Sequence, residues 1–162
     1  PTPDAAHDLL RNTGFEGGVV GDYKPSVEHW SFQNPAGGNI VPCNHIPDHH
    51  VTPFGDCAFR FGGVANQSGK LSQKVKLKNK SFAPGDSLNL GFIFRGKNAA
   101  TALGVAVLVK YSDGTDPAVF SLQLGSQQDY GYWSGSIVLA SSAVSKIQVR
   151  FTNQSTAGKV LY

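Results

Sequence analysis

The sequence predicts an all-β protein, a two-layer antiparallel β-sandwich of the jelly-roll kind. Three observations carry that expectation. Apolar and polar residues alternate in about ten short runs, the period of a strand with one buried face. Turn formers separate the runs, with 19 Gly and 9 Pro among 162 residues. Almost nothing between the runs has helical spacing, and short strands at this pitch build a sandwich or jelly roll.

The elements follow in order. Residues 1–14 read as an N-terminal arm and opening strand, and 15–162 as a single sandwich domain. Strands are expected at 17–20, 28–34, 57–62, 70–78, 87–95, 103–111, 118–124, 134–139, 145–152 and 158–162. The clearest pattern is Leu88, Leu90, Phe92 and Phe94 against Ser87, Asn89, Gly91 and Arg95. Val105, Val107 and Val109 repeat it, as do Ile147, Val149 and Phe151. Pro84-Gly85-Asp86 and Ser112-Asp113-Gly114-Thr115 supply tight turns, and Gly125 to Asp129 reads as a polar loop. Residues 35–56 read as a long Pro- and Gly-rich loop, and long loops in compact domains are often functional.

Bulk composition narrows the function classes. Charged residues make up 15% and the formal net charge is +3, too little to mark a nucleic-acid binder. Lys70, Lys74, Lys76, Lys78 and Lys80 fall on alternate positions, opposite Leu71, Gln73, Val75 and Leu77. They read as the solvated face of an outer strand rather than a site for an anionic polymer, because Lys blunts sheet edges. No apolar run is long enough to cross a membrane as a helix. Cys43 and Cys57 bracket 13 residues and are expected to form a disulfide, as in a secreted β-domain. With no Met and Pro1 at its start, the chain reads as a processed or excised piece.

Several motifs then occur in a telling order. Asn12-Thr13-Gly14-Phe15-Glu16 opens the series and Trp30 follows it. Next come Leu71-Ser72-Gln73-Lys74-Val75, Phe82-Ala83-Pro84-Gly85 and Val109-Lys110-Tyr111-Ser112-Asp113-Gly114. Ala143 to Phe151 and Ser155 to Leu161 close it. This order resembles the extracellular carbohydrate-binding modules of the family 4, 9 and 22 type, which are galactose-binding-like sandwiches. The resemblance implies noncatalytic glycan binding, an extracellular or cell-surface setting, a core or near-core place for Trp30 and a structural calcium. Glu16 is the candidate calcium ligand, since oxygen donors suit that ion, with a local turn contact as the competing role. The acidic group that family members carry after the last Gly motif has no match up to Tyr162, and the Cys-bounded loop is not general in the family.

Sugar recognition needs flat aromatic faces and planar polar groups. Tyr130, Tyr132 and Trp133 supply such faces densely. Neighbours in a strand point to opposite sides, so one of Tyr132 and Trp133 is expected inside and the other outside. Gln73, Arg95 and Tyr111 are the candidate polar or stacking partners. Cys43, His45, Asp48, His49 and His50 cluster in sequence, but Pro47 disfavours a regular helix there and a solvated loop is expected. Nothing points to catalysis: no nucleophile, metalloprotease or phosphate-loop motif occurs, and no carboxylate pair can be nominated. The expected partner is therefore an extracellular polysaccharide. The alternative is a structural subunit of a surface layer or filament, self-associating through sheet edges.

Overall fold

The computed structural model of the chain describes residues 8–15, 28–33, 38–42, 57–62, 68–97, 103–125, 127–153 and 159–161. They contain ten strands and no helix: β1 (Ser31–Gln33), β2 (Gly38–Pro42), β3 (Cys57–Gly62), β4 (Gly69–Lys74), β5 (Ser87–Lys97), β6 (Leu103–Tyr111), β7 (Ala118–Leu124), β8 (Gln127–Val138), β9 (Val144–Asn153) and β10 (Lys159–Leu161). Sheet I has the order β1-β4-β9-β6-β7 and sheet II the order β2-β3-β10-β5-β8. Every pairing is antiparallel. The expected all-β sandwich is the fold.

Alternation places the core. Leu71, Val105, Val107, Val109, Ile147, Val149 and Phe151 turn inward from sheet I. Phe59, Phe61, Leu90, Phe94 and Ile137 meet them from sheet II. Phe59 is the hub of an aromatic cluster, with ring centroids 5.8 Å from Phe15, 5.0 Å from Phe32 and 4.9 Å from Phe61. Trp30 is core as expected, 5.3 Å from Phe15 and 6.2 Å from Phe151.

The opening motif works as a knot. Asn12 and Phe15 both take positive φ, 49° and 57°. The Asn12 carbonyl accepts from the Phe15 backbone N–H at 3.1 Å and from the Trp30 indole N–H at 3.0 Å. Leu9 and Leu10 pack on the core ahead of it, so the described part of the arm is docked.

Three strand expectations change. β4 stops at Lys74 and lies between β1 and β9, so it is an interior strand and not the lysine-blunted edge expected. Lys76, Lys78 and Lys80 fall beyond it. Gly38–Pro42, inside the expected 35–56 loop, forms edge strand β2, where a terminal Pro costs no ladder bond. β8 begins at Gln127, inside the stretch read as a polar loop. The expected strand at 17–20, the His group, Cys43 and Glu16 lie outside the described residues.

The β6–β7 turn is tied to the β8–β9 turn. The Ser141 hydroxyl donates to the Asp113 carboxylate, which also accepts from the Thr115 N–H at 3.0 Å. The Ser112 N–H donates to the Ala143 carbonyl at 2.8 Å. The Ser141 hydroxyl, then the contacts from Thr115, hold the Asp113 carboxyl at about 2, below its ordinary value of 3.8. A carboxylate whose pKa is lower folded than unfolded stabilises the fold above the unfolded pKa, and that stabilisation is lost as pH falls through the folded one. Asp113→Asn should therefore lower the melting temperature at pH 6, with the gap to the parent closing as pH falls from about 4 to about 2. A gap independent of pH would show that the carboxylate charge is not what ties the turns.

Candidate functional site

Among the described residues, the outer side of sheet II carries the most exposed aromatic ring, Tyr132. β8 is its edge strand and pairs with β5 in a register that sets Ile93 opposite Tyr132, Gly91 opposite Ser134 and Asn89 opposite Ser136. Tyr132 is 69% exposed. Its ring leans across the neighbouring strand onto Gly91, where a Cβ would meet the Tyr132 Oη at 2.5 Å and two ring carbons at 3.2 Å. The missing side chain lets the ring rest on the backbone of β5. Asn89, Ser134 and Ser136, all exposed, share that outer face with the ring.

The one-in, one-out expectation describes the neighbour as well. Trp133 turns to the inner side and packs on buried Phe94, with centroids 5.9 Å apart, yet keeps 37% of its surface exposed. Arg95 falls on β5 two residues beyond Ile93 and is half-buried. The backbone of Tyr130 belongs to β8, while its side chain lies outside the described residues.

Gln73 and Tyr111 do not join this face. Both lie in sheet I, and both polar groups are already engaged. The Gln73 amide, 3% exposed, accepts from the Arg11 N–H at 2.7 Å and donates to the Arg11 carbonyl at 2.8 Å. It pins the arm to β4 and offers nothing to a ligand, a correction to its candidacy. The Tyr111 hydroxyl accepts from the Ala140 N–H at 3.0 Å and holds the β8–β9 turn, so it too is structural. Sequence reasoning missed Gly91, although a glycine inside a strand is itself a sign of close approach.

A groove of about 430 Å³ lies between the arm and β4, lined in part by Asp8, Arg11, His29, Lys74 and Lys80. Among the described residues no three His, Cys, Asp or Glu side chains meet as a metal site. No helix among them is long and apolar enough to cross a membrane. Asn66, Asn79 and Asn153 each begin an Asn-X-Ser glycosylation triplet; Asn79 sits exposed in a turn, Asn153 is buried at 2% exposure, and Asn66 lies outside the described residues.

A family 16 carbohydrate-binding module matches with a TM-score of 0.66 and 16% identity, over 96% of this chain and 94% of its own. TmCBM61, solved in complex with β-1,4-galactotriose, matches at 0.59 and 18%, over 95% and 92%. A family 4 module matches at 0.51 and 12%, over 94% of each chain. The chain has the jelly-roll fold of carbohydrate-binding modules. At these identities the likeness is one of fold. No family model and no curated protein matches the sequence.

Proposed function

We propose that this protein is a noncatalytic carbohydrate-binding module that holds an extracellular polysaccharide against the outer side of sheet II. The observation that carries the reading is Tyr132, exposed on the outer side of the sheet with its phenol end set against Gly91. An aromatic ring exposed on a sheet offers its face to the C–H side of a pyranose, and Asn89, Ser134 and Ser136 share that side of the sheet with groups that can bond hydroxyls. The shared fold with carbohydrate-binding modules supports the same role.

Two substitutions test it on a neutral glycan panel. Tyr132→Ala should weaken the best-bound glycan about tenfold or more, the usual cost of removing a central aromatic anchor. Gly91→Ala should weaken it too, because the new methyl lifts the ring, while changing stability by no more than about 1 kcal/mol. Both variants binding like the parent would sink the platform.

A second reading rests on β8 itself. It is an edge strand of 12 residues, and Val138 on its outer side is 64% exposed. Such an edge can add a strand from another copy. Light scattering that finds only monomer at high concentration would dismiss it.

A further inference from the structure

The opposite face of the sandwich has a different chemistry. The five strands of sheet I contain no Asp or Glu at any position. Their outward positions include Lys70 and Lys74 on β4, Lys146 and Arg150 on β9, and Lys110 on β6. β9 runs between β4 and β6, so the three cation-bearing strands are adjacent. Lys110 pairs directly with Lys146. Lys146 and Arg150 are separated by ~13 Å along β9, and Lys74 and Lys110 by ~12 Å diagonally across it. No carboxylate among the described residues pairs with any of the five.

Two observations mark this face as short of negative charge. Lys146 is pulled below the ordinary lysine pKa, first by partial burial and then by the charges of Lys74, Lys110 and Arg150. Arg150 lies between Ser72 and Ala106 across the strands, and its Nε is buried without a hydrogen-bond partner. An arginine whose Nε is unpaired, set among cations that repel, gains from an incoming oxyanion at its guanidinium.

We propose that the outer face of sheet I binds an anionic polysaccharide, one bearing carboxylate or sulfate groups, through Lys70, Lys74, Lys110, Lys146 and Arg150. The inference is independent of the Tyr132 platform, which lies on the other sheet. Among polyanions the face favours a polysaccharide over a nucleic acid. Single strands are held by bases stacked on aromatic rings, and the outward positions of sheet I carry none. A broad sheet of five strands is also too wide for a duplex groove. What lies between the cations instead is a set of small, amide and aliphatic side chains, Thr152, the largely buried Ser72 and Gln148, and Leu108 and Val119.

The experiment measures binding of the full chain to polygalacturonate, dextran sulfate, neutral dextran and oligothymidylate at 50 and 300 mM NaCl. The expected result is binding to polygalacturonate, dextran sulfate or both, weakened at least tenfold at the higher salt, with none to dextran. The two polyanions separate carboxylate from sulfate recognition. Lys74→Gln with Lys146→Gln should lower that affinity at least tenfold, as should Arg150→Gln. Lys78→Gln with Lys80→Gln, which removes the same charge beyond β4, should lower it less than threefold. Circular dichroism confirms folding of each variant. Failure to bind either polyanion, tighter binding to oligothymidylate, or equal losses in the two double variants would overturn the proposal. The neutral-glycan test of Tyr132 would be untouched by any of these results.

Discussion

Replacing Phe59 by alanine is expected to destabilise the protein by about 3–5 kcal/mol, the range for removing a buried aromatic side chain. The position is fully buried, and its ring touches Phe15, Phe32 and Phe61. Those partners come from the opening motif, from β1 in sheet I and from β3 in sheet II. The cavity would open where three separate segments meet, and small local shifts cannot close it. Aromatic pairs add about 0.5–1.5 kcal/mol each beyond their buried area, which places Phe59→Ala towards the upper end. In a chain of this size the melting temperature should fall by roughly 10 °C or more. Thermal unfolding followed by near-ultraviolet dichroism checks this, because Trp30 packs on Phe15 in the same cluster. A fall of only a degree or two would mean that Phe59 is not the hub.

Gly135→Ala carries the second large effect, about 1–3 kcal/mol of destabilisation through overpacking. A Cβ at this position would come within 2.0 Å of the Phe120 ring and meet three of its carbons below 3.0 Å. Gly135 lies on the inner side of β8, and Phe120 reaches it from β7 in the other sheet. The glycine is therefore a socket between the two edge strands. The two substitutions should not add: Phe120→Leu alone should cost stability, yet it should recover part of the loss in Gly135→Ala. Strict additivity in that cycle, measured by chemical denaturation, would show that the ring moves aside without strain.

The same glycine explains what the sequence hid. β3, β6 and β7 were legible to the residue because their alternation is unbroken. β8 was legible only from about residue 134, since Gly131 and Gly135 interrupt its pattern and glycine weakens any strand signal. β2 was hidden for a similar reason, with two glycines before Asn39-Ile40-Val41 and a proline after. The candidate site divides along the range of its contacts. That Tyr132 and Trp133 face opposite sides follows from a period of two, which the chain states locally. That Gln73 is consumed by Arg11 follows from a pairing 62 residues apart, which no local pattern announces. The lysines show the same divide. Their alternation was visible, but the partners on β6 and β9 that make them a face came only from sheet order.

The place of β10 has a kinetic consequence. This strand of three residues comes last of the ten in chain order, yet it lies in the middle of sheet II, bonded to β3 on one side and β5 on the other. Until it inserts, β2–β3 and β5–β8 are two separate ribbons with facing raw edges. The sheet can close only after everything before residue 159 has been made, and its closing pairs join segments far apart along the chain. Such non-local pairing makes for slow folding. It also leaves an open slot of strand width in the half-folded chain, with two unpaired edges that a strand from another chain could fill.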